Sequence, residues 1–301
     1  SYSSAFQTAT LATKFLTNPC GLYAVSTSGK VKWTYNFPDQ ALNYNTPLIG
    51  SDGTIYCGLS YPMKFYAINS DGTLKWSIDN INLKMMGINI GIDGTLYFIQ
   101  SGGLLTAVSK DGNILWTYSD PNLYGGDFSN LSISPDGRVL YMYTISDQLI
   151  AFDIQNQTAK WSFGNYISDV PAVDCKGNLY LIANVDSVYQ GTTAIFVLNE
   201  EGKVKWSYPI GRAIAYLWNS NPVIDKNGNI YCGYDTLYSF DNSGNLRWKK
   251  DLCSSCSNDF GFIVSPLVCS LDNIIYVSIS DVNNKTLRTI KAFSSEGNEL
   301  W

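Results

Sequence analysis

The 301-residue sequence has no histidine, and that absence alone removes the Ser-His-Asp and Cys-His nucleophile schemes and every His-ligated metal site. Positive charge is thin: 20 Lys and Arg stand against 25 Asp and Glu, for a net charge of −5. No basic run exceeds the pair Lys249-Lys250, so the stripe that a nucleic-acid groove needs is missing and no nucleic-acid partner is expected. Apolar runs are short too. The longest, such as AIAYLW at 213–218, fall far below the ~20 residues that span a bilayer as a helix, so no membrane insertion is expected. The sequence opens at Ser1 without a Met or a signal-like apolar stretch, which reads as a processed form or as part of a larger chain or assembly.

Cysteines number seven, an odd count that leaves at least one outside any internal pairing. Cys253 and Cys256 form one C-x-x-C with no second such pair, and the expected state is a local disulfide in a loop, with two free thiols or a metal pair as the alternatives. No metal site is expected elsewhere. Cys57 and Cys232 stand in near-identical segments, GTIYCG and GNIYCG, where a small buried side chain is the simplest role. Three Asn-x-Ser/Thr triplets begin at Asn130, Asn156 and Asn284, about what an Asn-, Ser- and Thr-rich chain gives by chance.

What is abundant points to strands. Tyr (21), Phe (13), Trp (8) and Gly (25) are spread along the whole length, which favours sheets and tight turns. A chain of this size buries roughly 75% of the surface its unfolded form exposes, so one core needs no metal or disulfide to hold it.

The phrase FYAINSDGTLKW at 65–76 is two alternating halves around a Ser-Asp-Gly turn, a β-hairpin signature. Six further copies align on their tryptophans: LYAVSTSGKVKW, LTAVSKDGNILW, IAFDIQNQTAKW, IFVLNEEGKVKW, LYSFDNSGNLRW and IKAFSSEGNELW. Trp33, Trp76, Trp116, Trp161, Trp206, Trp248 and Trp301 follow one another at 43, 40, 45, 45, 42 and 53 residues. That is the period of a propeller blade. A glycine precedes the tryptophan by four in every copy but one, where Gln157 stands and Asn156 is expected to carry the left-handed turn. A first hairpin with an Asp/Asn-Gly turn and a tyrosine (Tyr56, Tyr97, Tyr141, Tyr180, Tyr231 or Tyr276) precedes most copies, and the first unit is the least complete. The expected architecture is all-β: one domain over 1–301, a seven-bladed β-propeller of four-stranded antiparallel blades, each tryptophan filling the wedge between neighbours.

The pattern L-Y-A-x-x-x-x-G-x-x-x-W, preceded by D-G-T-x-Y, resembles the repeats of the pyrroloquinoline-quinone-like, or quinoprotein-type, β-propellers from about Leu22 to Trp301. In redox members the resemblance implies a quinone in the central funnel with calcium, a catalytic Asp and a disulfide between adjacent cysteines. This sequence has no Cys-Cys dipeptide and seven units where the large dehydrogenases have eight, so the expected cofactor is none, with quinone and calcium as the alternative.

In an up-and-down blade, the crossovers and the loops of the middle strand pair emerge on one face, and the longer, variable set is where binding belongs. Trp218 is the only tryptophan outside the repeat register. With Arg212 and Tyr216 in the same crossover, and Tyr124, Tyr166 and Phe260 in others, it is expected either to line an aromatic rim with one arginine, suited to a protein or glycan partner, or to plug the channel as packing. DKNGN at 225–229 looks like the start of a calcium loop but coincides with the repeat turn and reads as structural. The functional expectation is a non-catalytic binding or scaffold propeller at the cell surface, in the periplasm or outside the cell. The alternative is a divergent quinoprotein dehydrogenase or a carbohydrate-active enzyme using the central funnel.

Overall fold

Each phrase folds into the hairpins its alternation demands, and a computed structural model shows how they join. It describes residues 9–12, 21–26, 28–37, 47–59, 63–81, 88–123, 131–164, 171–185, 192–212, 222–233, 236–252, 263–269, 273–280 and 288–301. Among these there is no helix, and seven antiparallel sheets follow the repeats in chain order. The first comprises β1 (Ala9–Ala12), β2 (Gly21–Val25) and β3 (Val31–Asn36). The second runs β4 (Leu48–Ile49), β5 (Ile55–Leu59), β6 (Lys64–Ile68), β7 (Leu74–Asp79), and the third β8 (Asn89–Ile90), β9 (Leu96–Gln100), β10 (Leu104–Val108), β11 (Ile114–Ser119). The fourth runs β12 (Leu131–Ile133), β13 (Val139–Tyr143), β14 (Leu149–Asp153), β15 (Thr158–Phe163). The fifth holds β16 (Ala172–Val173), β17 (Leu179–Asn184), β18 (Thr192–Leu198), β19 (Val204–Arg212), and the sixth β20 (Val223–Ile224), β21 (Ile230–Gly233), β22 (Thr236–Phe240), β23 (Leu246–Asp251). The seventh is β24 (Ile263–Cys269), β25 (Ile274–Ser280), β26 (Arg288–Phe293).

Five sheets have the expected four strands and two depart from it. The first, whose opening segment lacks turn residues, has three among the described residues. In the seventh the fourth strand is reduced to a bridge: Phe293 pairs with Glu299, Leu300 N donates to Ala292 O at 2.7 Å, and Ala292 N donates to Trp301 O at 3.0 Å.

The chain packs as two units, Ser1–Ile133 and Ser134–Trp301. In the first, one apolar cluster joins Leu22 and Phe37 to Ile55, Leu59 and Tyr66, and a second joins Tyr56 and Phe65 to Leu96 and Phe98. In the second unit, Tyr141 and Leu149 pack on Leu179 and Leu198, Ile195 and Val197 on Ile230 and Phe240, and Tyr231 and Leu237 on Ile275 and Phe293. Within each unit the core thus lies between successive sheets. Strands β5, β9, β17 and β21 are buried at every position. Such a strand, covered on both faces, reads as a continuous apolar run and not as the alternation expected of a half-exposed one. Alternation survives in β3 and β11, which bury only every second residue in part.

The tryptophans are not fully enclosed. Trp33, Trp76, Trp116, Trp161, Trp206 and Trp248 are half-buried, and Trp301 is 64% exposed. Each of several indoles instead latches onto the turn of the following repeat. Nε1–H donates to the carbonyl two residues before the turn glycine: Trp33 to Ser70 and Trp76 to Lys110 at 2.9 Å, Trp161 to Glu200 at 3.0 Å, Trp248 to Ser295 at 2.9 Å. A Cβ on that glycine would fall 2.7 Å from Trp33 at Gly72 and 2.6 Å from Trp206 at Gly244. These turns also need a positive φ, +90° at Gly72 and +89° at Gly244, so glycine meets two demands at once. Where the glycine is missing, Gln157 itself takes φ 52°, not Asn156, and in the LDN copy Asn273 does the same.

Candidate functional site

The rim expected from the crossovers lies almost wholly outside the described residues: Tyr124, Tyr166, Tyr216, Trp218 and Phe260 are all there, and so are Cys253 and Cys256. Only the backbone of Arg212 is placed. It ends β19, which at nine residues outruns the six-residue strands at the same place in other repeats, and it pairs with Thr192 across two register shifts. Arg212 therefore stands on an extension of a strand and not in a free crossover. Cys57 and Cys232 are buried, as a small core residue should be, and burial pushes the Cys232 thiol far up. Cys175 is exposed.

The acids of the repeat turns are already engaged. Asp225, the first residue of DKNGN, is 5% exposed. One of its oxygens accepts from the amides of Asn227 and Asn229 at 2.9 Å, the other from Asn229 Nδ2 at 2.8 Å and the Tyr231 hydroxyl at 2.9 Å. Asp174 repeats the arrangement with Lys176, Asn178 and Tyr180. Burial raises its carboxyl, but the hydrogen bonds from Asn178 and Lys176 outweigh that and hold it below the ordinary value. The turn reading of 225–229 is what the geometry bears out. Among the described residues no three His, Cys, Asp or Glu side chains group so as to hold a metal ion.

A second regularity was not anticipated. A β-bulge sits just before the tryptophan in β3, β7, β11, β15, β19 and β23, and the residue it extrudes is usually basic. Lys75 Nζ reaches Asp52 Oδ2 at 3.1 Å and Thr54 Oγ1 at 3.0 Å, Lys205 Nζ reaches Asn178 Oδ1 at 2.7 Å, and Arg247 reaches Ser239 Oγ at 3.0 Å. Lys75 and Lys205 tie the last strand of a sheet to its own first turn, whereas Arg247 ties it to the neighbouring strand β22. The signal was in the sequence, as the K-W and R-W pairs of the aligned phrases.

Within the second unit a cleft of about 790 Å³ opens between the fourth and fifth sheets, lined among others by Asp136, Arg138, Tyr141, Lys160, Trp161 and Glu200. The turn there is one residue longer, with Ser134 N donating to Val139 O. Asp136 is held low first by the Ser134 hydroxyl, and its neighbour Arg138 stands 3.7 Å away. Lys160, at the bulge position, has no hydrogen bond or ion pair among the described residues. Burial, then Asp136 and Glu200, push the Tyr141 hydroxyl up to about 12. The cleft offers both charge signs on exposed side chains and suits polar contact with a ligand.

No helix among the described residues is long and apolar enough to cross a membrane. A family model described as outer membrane protein assembly factor BamB matches residues 8–123 and 90–233. No curated protein matches in sequence. Among solved structures, BamB from Moraxella catarrhalis is 15% identical at a TM-score of 0.61, covering 93% of this chain and 81% of that one. The C-terminal WD40 domain of Sif2 is 9% identical at a TM-score of 0.66, covering 92% of this chain and 75% of its own. A catalytically inactive virginiamycin B lyase from Staphylococcus aureus with quinupristin is 14% identical at a TM-score of 0.57, covering 86% of this chain and 84% of that one. At these identities the likeness shows the fold alone, an all-β propeller, to which the described residues contribute seven antiparallel sheets.

Proposed function

We propose, because the chain belongs to the family described as outer membrane protein assembly factor BamB, that it is a non-catalytic interaction propeller that holds a protein partner through its loop-rich face. The observation that carries this reading is how completely the repeat turns use their own polar groups: Asp225 and Asp174 fill both carboxylate oxygens locally. A frame spent on holding itself together leaves recognition to the variable segments between repeats. Arg212, Tyr216 and Trp218 are the residues of the proposed rim, with Tyr124, Tyr166 and Phe260 beside them. The reading includes a periplasmic or cell-surface location, which the family description supports, and no cofactor enters it.

Photocrosslinking from position 218 in the native host tests it. The expected product is a discrete adduct with an outer-membrane assembly component, lost when Arg212 and Tyr216 are both changed to Ala while the melting temperature holds. No adduct above that from the exposed turn residue Glu201, or binding only to immobilised glycans, would overturn the protein-partner reading.

A further inference from the structure

In the fifth and sixth repeats the tyrosine of the first hairpin donates its hydroxyl to the aspartate that opens the turn, Tyr180 to Asp174 at 3.0 Å and Tyr231 to Asp225 at 2.9 Å. In the fourth repeat Ser134 opens the same backbone turn, with Gly137 N donating to Ser134 O at 2.9 Å as Gly177 N does to Asp174 O at 3.0 Å. The serine side chain is shorter than an aspartate, and its hydroxyl is spent on Asp136 Oδ1 at 2.6 Å and on the Val139 amide at 2.9 Å. Tyr141 is 1% exposed, and its hydroxyl has no hydrogen-bond partner among the described residues.

Lys160 is the second donor that the turn leaves over. Its counterpart Lys75 reaches Asp52 at 3.1 Å, but Asp136, which holds the Asp52 position in the fourth turn, is taken by Ser134 and faces Arg138. Ser134, Tyr141 and Lys160 all line the cleft of about 790 Å³ between the fourth and fifth sheets, a volume usual for a small-ligand site. The wall from the fifth sheet carries Glu200, whose Oε2 would lie 3.7 Å from a Cβ on Gly177 and whose carboxylate has no hydrogen bond or ion pair among the described residues. Three basic and four acidic side chains line the cleft in all. A ligand of net charge therefore gains little from the surrounding field, and one that carries both signs can meet both walls.

We propose that this cleft binds a short zwitterionic peptide, its carboxylate taken by the Tyr141 hydroxyl and Lys160 Nζ on one wall and its ammonium by Glu200 on the other. The ligand carboxylate does for Tyr141 what Asp174 and Asp225 do for Tyr180 and Tyr231. The phenol, pushed up to about 12, stays a donor at neutral pH. Donors and acceptor stand on opposite walls, so the two charges of the ligand must be apart, as they are at the ends of a short peptide and are not in a free amino acid. The site shares no residue with the Arg212–Trp218 rim, so either stands if the other fails.

The test is a ligand-observed NMR titration of the whole chain with trialanine, its C-terminal amide and its N-acetyl derivative. Trialanine should bind, the amide weaker by roughly tenfold and the acetyl derivative by roughly threefold or more. Tyr141→Phe and Lys160→Gln should each weaken trialanine by roughly threefold or more, and Lys160→Gln should leave the amide unchanged. Glu200→Gln should weaken trialanine and leave the acetyl derivative unchanged. Lys160 and Glu200 are exposed, so these two variants should fold and keep the test standing if Tyr141→Phe lowers the melting temperature. No binding, equal affinity for the three peptides, trialanine binding that neither Lys160→Gln nor Glu200→Gln moves, or free alanine binding as tightly as trialanine would overturn the proposal.

Discussion

The indole of Trp161 lies face-on beneath Gly202, so close that a methyl built on that glycine would fall 2.7 Å from Cδ2. The same ring donates its N–H to Glu200 O at 3.0 Å. Stacking and hydrogen bond together couple the last strand of one sheet to the turn of the next repeat. This couples sheets too thin to enclose an apolar face alone, and it explains why glycine and tryptophan recur together through the repeats.

Gly202→Ala and Gly29→Ala separate the two demands on the turn glycine. Both sit at positive φ, +77° and +78°, but among the described residues nothing lies within 4 Å of a Cβ at Gly29. Gly29→Ala should cost only the left-handed strain, about 1–2 kcal/mol. Gly202→Ala must also push Trp161 aside, so denaturant titration should place it at least ~1–3 kcal/mol lower still, as overpacking does.

Trp161→Phe keeps a ring in the seat and removes the donor. The expected loss is about 1 kcal/mol for the hydrogen bond, whereas Trp161→Ala should lose about 2–3 kcal/mol, below the ~3–5 of a wholly buried indole. No loss in Trp161→Phe, read from the same titration, would mean that the hydrogen bond contributes nothing beyond the ring, and equal losses in the two variants that the ring contributes nothing beyond the hydrogen bond.

Acid should weaken the frame through its turn carboxylates. The Thr54 amide holds Asp52 low, with Lys75 adding to it, and the Ser134 hydroxyl holds Asp136 low. A carboxyl depressed in the folded state gives stability that is present above its unfolded value of 3.8 and lost as pH falls through the lower folded value. Melting temperature should stay level from neutral pH to about pH 4 and drop below it, with a shallower drop in Asp52→Asn.

Alkali acts through the buried phenols. Burial, followed by nearby carboxylates, pushes Tyr141 and Tyr231 up to about 12 from 10.0. A raised phenol gives stability that is intact below its unfolded value and lost as pH rises through the folded one. Melting temperature should therefore fall between about pH 10 and 12, and Tyr141→Phe should flatten that fall.

Architecture was legible because the repeat is spelled in residues with few substitutes. Glycine at positive φ, Asp-Gly turns and the tryptophan period lead directly to hairpins and seven sheets. The DKNGN turn was legible too, since Asp225 meets its own Asn227, Asn229 and Tyr231 within six residues. The half-exposure of the tryptophans was not, because alternation says which side of a strand a ring occupies and nothing of how far the neighbour's turn covers it. The bulge cation was missed although K-W and R-W repeat in plain sight, because only the fold brings Lys75 onto Asp52. The proposed rim rests on Trp218 being out of register, and except for the Arg212 backbone its residues lie outside those described.

Hydrogen exchange of the indole N–H groups tests most directly the claim that the tryptophans are inter-repeat latches. The account predicts slow exchange at Trp33, Trp76, Trp161 and Trp248, each bonded to the next turn, and fast exchange at Trp301, which is 64% exposed. Exchange at the four as fast as at Trp301 would contradict it.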